Sequence, residues 1–166
     1  MDPTEEQGRP IDRLSGLLSP TGFNLMVEHE CRRADRRGEP LTLLYLGIDD
    51  MEGIEHRFGS LESERAVMAV ADGLRAAFRA SDIVGRVATD GFSVMPVDTD
   101  AVYFDSAIAR VRQNLPVLQD LGGEQYQVTM SVGSARYDPL HAEPVAAVVE
   151  RAAASRPAAA KFHSIY

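Results

Sequence analysis

A chain of 166 residues, 45% hydrophobic and 25% charged, is long enough for one domain with a real core. Its formal net charge of -8 argues against a general nucleic-acid or anionic-membrane surface, since such partners need a positive field. The single cysteine, Cys31, cannot make an internal disulfide, the amino end is too polar for a secretory signal, and no apolar run approaches the roughly 18 residues needed to span a bilayer. These features set the expectation of a soluble, cytoplasmic domain.

Residues 1–11 are polar and read as a flexible amino-terminal segment. Ser19-Pro20 then supplies a cap and a first-turn proline for a helix whose apolar face is Phe23, Met26, Val27 and Ala34. Gly38-Glu39-Pro40 breaks it, and the nearly continuous apolar run Leu41 to Ile48 predicts a central strand covered on both faces. A helix from about Met51 to Phe58 follows, and after Gly59 a longer one from Leu61 to Arg79 repeats apolar residues at Val67, Val70, Leu74 and Phe78. Ile83 to Val87 and Phe92 to Val97 flank Ala88-Thr89-Asp90-Gly91, whose Asp-Gly pair predicts a hairpin turn. Next come a helix from about Asp100 to Leu115, burying Phe104, Ile108, Val111 and Leu115, and a strand alternating Tyr126, Val128, Met130 and Val132. A last helix starts at about Glu143, and Pro157 is expected to kink or end it.

This order implies an α/β (α+β) sandwich over residues 12–166, with a mostly antiparallel, five-stranded-type sheet flanked by helices. Such a sheet sets the end of its central strand beside the hairpin turn. That arrangement suits two-metal nucleotidyl transfer, so Asp49, Asp50 and Asp90 are candidate metal ligands. The competing structural roles are helix capping for the paired aspartates and plain turn formation for Asp-Gly. His29, His56, His141 and His163 lack paired metal spacing, and Cys31 has no evident catalytic partner. The cluster Arg32, Arg33, Arg36 and Arg37 reads as a solvated face near a helix C-terminus.

Several motifs in order resemble those of the GGDEF domain family, the fold of bacterial diguanylate cyclases, from about Asp12 to Lys161. Asp12-Arg-Leu-Ser-Gly-Leu-Leu-Ser-Pro-Thr-Gly-Phe23 is similar to that family's opening Asp-x-Leu-Thr-Gly-Leu-x-Asn-Arg-x-x-Phe. Leu43 to Glu64 fits its next segment without a gap, and Ala88-Thr89-Asp90-Gly91-Phe92 falls on the signature Gly-Gly-Asp-Glu-Phe. The resemblance implies conversion of two GTP to cyclic di-GMP on bound metal, but the active-site positions depart from it. The first metal-binding aspartate falls on Gly47, the phosphate-side lysine on Glu52, the guanine-reading pair on Glu55 and Glu64, and the second signature acid on Gly91. An added negative charge such as that of Glu52, about 5 Å from a phosphate, costs roughly 3 kcal/mol per phosphate charge at an effective dielectric near 20. The frame that survives is Asp49, Asp90 and Lys161, with Asp90 and the Ile48 carbonyl left as metal contacts if any metal binds; the expected downstream arginine falls on Ile165. Hence no cofactor is expected, and Mg2+ only with retained nucleotide binding.

Arg79-Ala-Ser-Asp82 resembles the family's Arg-x-x-Asp inhibitory site, which implies cyclic di-GMP binding at Arg79 and Asp82, with Arg110 or Arg112 of a neighbouring copy as a second cationic contact. The structural alternative makes Arg79 a helix end and Asp82 the start of a turn. Three functions follow: a degenerate, catalytically inactive receptor of cyclic di-GMP, a protein-interaction or dimerisation module without nucleotide, and an active diguanylate cyclase. The partners expected are cyclic di-GMP, a protein and a second copy of the chain, with no nucleic acid and no membrane.

Overall fold

The Ser19-Pro20 start behaves as its residues dictate in the computed structural model, which describes residues 8–97 and 101–157. The Ser19 hydroxyl accepts from the Gly22 amide at 3.2 Å, and α1, Pro20–Arg37, runs until Gly38 turns the chain left-handed at φ 67°. Its buried face is Phe23, Val27, Cys31 and Ala34. Met26, expected on that face, is 51% exposed, because Cys31 completes the i, i+4 stripe in its stead. Residues 1–7 of the predicted flexible segment lie outside the described residues, while Pro10 and Ile11 pair with Ser19 and Leu18.

The remaining elements are β1 (Leu41–Ile48), α2 (Met51–Phe58), α3 (Ser60–Ala77), β2 (Ile83–Ala88), β3 (Gly91–Met95), α4 (Ala101–Asn114), β4 (Val117–Gln119), β5 (Gln125–Gln127), β6 (Met130–Tyr137) and α5 (Val145–Ala154). The main sheet is antiparallel, in the order β2-β3-β1-β6, and β4 and β5 form a separate two-stranded ribbon. The α/β sandwich is as expected, with four strands rather than five in the main sheet among the described residues. The strand expected through Tyr126 to Val132 divides into β5 and β6 because Tyr126 is drawn onto the helices. Its hydroxyl donates to the buried Glu62 carboxylate at 2.6 Å, and its ring stacks on Phe58 at 4.5 Å.

Period-two alternation in β1 divides the core between two layers. Leu44 and Leu46 face α2, α3 and α4 with Ile54, Val70, Leu74 and Val111, whereas Leu43 and Tyr45 face α1 and α5 with Phe23, Val27 and Val148. The last helix begins at Val145, after Pro144, and stops at Ala154, three residues before the proline expected to end it. Ser155 sits at the stop: its Oγ accepts from the Ser134 amide of the edge strand β6 at 2.9 Å, and its one hydroxyl proton lies within reach of two carbonyls, Ala152 at 2.8 Å and Ser134 at 3.0 Å. Gly133 permits this close approach, since a Cβ there would overlap the Ala152 carbonyl. The docking sets Arg156 across the sheet toward the end of β1.

Candidate nucleotide crease and arginine cleft

The end of β1 and the β2–β3 turn meet as predicted. Gly47 sits opposite Gly91 in the antiparallel register, and the Ile48 amide donates to the Asp90 carbonyl at 2.8 Å. Asp49 is buried, its carboxylate accepting from the hydroxyls of Thr129 at 2.8 Å and Ser131 at 2.6 Å. Asp50 adopts φ 47° and caps α2, accepting from the Gly53 amide at 3.1 Å. Capping is therefore the role the geometry gives Asp50, and Asp49 is a latch between β1 and β6. Asp90 is half-buried in the turn. Among the described residues no three histidine, cysteine or acidic side chains converge to hold a metal ion; Lys161 lies outside the described residues, as do Ile165 and His163.

Two bulky side chains fill the space above the two glycines. A Cβ at Gly47 would overlap Nη1 of Arg156 and lie 3.0 Å from its Cζ, and a Cβ at Gly91 would overlap the hydroxyl and Cζ of Tyr45. The Arg156 guanidinium stacks over the Tyr45 ring at 4.6 Å from its centroid. Burial and the nearby Asp90 carboxylate push the Tyr45 phenol above its ordinary range, against the opposing pull of Arg156. Neither residue is singled out by sequence reasoning. Tyr45 carries a signal, lying two residues from Gly47 on the same strand face, whereas the role of Arg156 depends on how α5 docks.

The positions aligned with guanine reading lie in a neighbouring cleft of about 300 Å³, lined by Leu14, Met51, Glu55, Ser63, Glu64 and Arg86, among others. Glu55 and Glu64 are exposed, and Glu52 sits exposed in the first turn of α2, where its charge suits the helix dipole. Arg86, which sequence reasoning missed, donates to the Thr89 carbonyl at 2.8 Å and pairs with Asp12 at 3.4 Å, tying the chain's opening motif to the hairpin.

On the far side of the hairpin, α3 ends at Ala77, two residues before the expected Arg79. Asp82 is buried and accepts from the Arg79 amide at 2.9 Å, the Val97 amide at 3.1 Å and the Tyr103 hydroxyl at 2.6 Å. The Arg79 guanidinium is exposed and lies 3.9 Å over the Tyr103 ring. Burial and the hydrogen bond to Asp82 raise the Tyr103 phenol. The structure thus brings Arg79 and Asp82 together, with Tyr103 joining them. Arg110 is near in the same chain, donating to the Ala77 carbonyl at 3.2 Å, whereas Arg112 lines a different cleft with Gln113 and Gln127. Arg79 borders a cleft of about 420 Å³ whose walls include Arg75, Phe78, Met26 and Ile11.

The family model described as "Diguanylate cyclase, GGDEF domain" matches residues 10–161. A curated relative, the Escherichia coli K12 protein named "Probable diguanylate cyclase DgcC", is 28% identical over 128 residues, covering 77% of this chain and 34% of that protein. The chain therefore spans about a third of the length of that relative. Among solved structures, the GGDEF domain of DgcB from Caulobacter crescentus in complex with c-di-GMP superposes with a TM-score of 0.78 at 21% identity, covering 87% of this chain and 86% of that one. Diguanylate cyclase SiaD of Pseudomonas aeruginosa, solved with its activator SiaC, gives 0.77 at 23% identity, over 92% of this chain and 58% of that one. No helix among the described residues is long and apolar enough to cross a membrane.

Proposed function

We propose, because this chain belongs to the GGDEF domain family of diguanylate cyclases, that it is a degenerate cytoplasmic member that receives cyclic di-GMP instead of making it. The observation that carries the reading is the exposed Arg79 guanidinium, laid 3.9 Å over Tyr103 at the edge of an open cleft. A guanidinium stacked on one face keeps its other face for a base and its in-plane N–H groups for a guanine edge or phosphate. Asp82 anchors the same loop, and Arg110 adds a second guanidinium close by. The DgcB structure with bound c-di-GMP supports the ligand class.

Loss of the cyclase reaction rests on the crease. Gly47 offers no side-chain ligand, Gly91 replaces the second signature acid, and Glu52 sets negative charge where GTP phosphates would lie. Two-metal phosphoryl transfer has little other means of neutralising that charge. Magnesium is then not part of the domain's work. A second reading, a protein-interaction or dimerisation module without nucleotide, is favoured by the buried Asp82, whose three donors already occupy most of its acceptor capacity.

Calorimetric titration of the chain with cyclic di-GMP separates the readings. Micromolar binding is expected, weakened by at least about tenfold in Arg79→Ala, since hydrogen bonds from a charged group contribute about 1.5–3 kcal/mol. A folded parent that ignores cyclic di-GMP sinks the receptor and leaves the interaction module. Conversion of GTP to cyclic di-GMP with magnesium or manganese would restore the cyclase.

A further inference from the structure

We infer that the Arg156 guanidinium is a built-in cation that closes the crease between β1 and the β2–β3 turn to divalent metal, with Tyr45 as its seat. The metal that the family implies does not fit the residues present. Mg2+ and Mn2+ need oxygen ligands in near-octahedral array, whereas a guanidinium offers only N–H donors and a positive charge. Of the carboxylates at this end of the sheet, Asp49 is already held by two hydroxyls and Asp50 by its helix cap, which leaves Asp90 in the turn as a single carboxylate, with Arg156 across the crease.

Three features hold Arg156 in place. Ser155 pins the chain to Ser134, so the next residue must cross β6. It crosses at Gly133, where Arg156 Cγ comes within 2.9 Å of the position a Cβ would take. The Nε donates to the Ala153 carbonyl at 3.0 Å, which directs Nη1 toward Gly47 and lays Cζ over Tyr45. Gly47, Gly91 and Gly133 thus floor a trough across three neighbouring strands, and Tyr45 and Arg156 occupy it. The inference deepens the non-cyclising half of the proposed function and is independent of whether cyclic di-GMP binds.

Paramagnetic broadening by Mn2+, read at the amides of residues 47 and 91 in the folded chain, tests it. In the parent these two amides are expected to keep their intensity with one equivalent of Mn2+. In Gly47→Asp/Arg156→Gln, which removes a repelling charge and adds an attracting one, Mn2+ affinity at these amides is expected to rise by at least about tenfold. Arg156→Gln alone, which removes the charge and shortens the side chain, gives a smaller rise and serves if the double variant does not fold. Selective broadening of residues 47 and 91 in the parent overturns the inference, and so does a folded variant set that binds Mn2+ no better than the parent. A parent that excludes Mn2+ yet ignores cyclic di-GMP sinks the receptor reading alone.

Discussion

The two ends of the β2–β3 hairpin have been treated in opposite ways by the sequence. At the turn end, small residues at positions 47 and 91 make room, and two side chains from elsewhere, Tyr45 and Arg156, move into it. At the other end Arg79 and Asp82 are present, and Tyr103 fixes both: its ring carries the guanidinium and its hydroxyl holds the carboxylate. The lesson is that the shape of each end is set by its supporting residues, Tyr45, Arg156 and Tyr103, as much as by Gly47, Gly91, Arg79 and Asp82. Side chains restored at positions 47 and 91 would have to displace Arg156 and Tyr45, and without Tyr103 the Arg79 guanidinium would lose its platform while Asp82 kept only its two backbone donors.

The largest effect should come from testing whether the crease is filled by something that cannot move. Gly91→Ala pushes a Cβ into the Tyr45 ring, which is wedged in the core, and is expected to cost about 1–3 kcal/mol of stability by overpacking. Gly47→Ala meets only the far end of a flexible arginine and should cost less than about 1 kcal/mol. Urea unfolding of both variants, alone and combined with Tyr45→Leu, checks this. The cost of Gly91→Ala should largely vanish in the Tyr45→Leu background, and equal costs in both backgrounds would mean that Tyr45 does not set the limit.

The other end of the hairpin calls for a milder perturbation. Tyr103→Phe keeps the ring under Arg79 and removes the donor to Asp82, so a loss of about 1 kcal/mol in stability is expected, with cyclic di-GMP affinity falling only a few-fold. Tyr103→Leu also removes the cation–π contact, a further loss of about 0.5–1 kcal/mol expected in binding, and gives up the edge-on contact with Phe78, which is read in stability. Thermal unfolding paired with ligand titration separates the two losses. If both variants bind as the parent does, Arg79 needs no platform and the contrast between the two ends weakens.

Most of the fold was legible because its signals are local. The Ser19 cap, the Asp-Gly turn and the strand-length apolar run at Leu41 to Ile48 each constrain a few neighbouring residues and gave elements close to those observed. That the end of the central strand lies beside the Asp90 turn also followed from the hairpin next to it, and the register sets Gly47 opposite Gly91. The parts that could not be read depend on docking. Tyr126 breaks an alternating strand because Glu62, 64 residues away, accepts its hydroxyl. Arg156 reaches Gly47 only because Ser155 fastens α5 to β6. Met26 lies outside although it is apolar, because the i, i+4 stripe Phe23, Val27 and Cys31 already fills the face turned to the sheet, and apolar character alone does not mark the edge of that stripe.

A smaller effect, on alkaline stability, can tell the crease from the rest of its sheet face. Tyr137 donates to Asp35 at 2.8 Å, and burial with this bond pushes its phenol up to about 12. Burial, and then the Asp35 charge, push the Cys31 thiol up to about 11. Both groups stay protonated in the fold where an unfolded chain would release its proton, so their stabilising contribution is complete below the ordinary thiol value of 9.0 and is lost as pH rises through about 11 and about 12. Tyr45, on the same face, is raised too, but its charged neighbours are Asp90 and Arg156. Asp35→Asn should therefore bring the Cys31 and Tyr137 titrations back toward their ordinary values, and the alkylation midpoint of Cys31 should fall with them. The part of the alkaline loss in urea-unfolding stability that survives that substitution comes from the burial of Cys31 and Tyr137 and from the other raised phenols, Tyr45, Tyr103 and Tyr126; of these, only the Tyr45 share should shift with Arg156→Gln. An alkaline profile that Asp35→Asn leaves unchanged would mean that Asp35 contributes nothing beyond the burial of Cys31 and Tyr137.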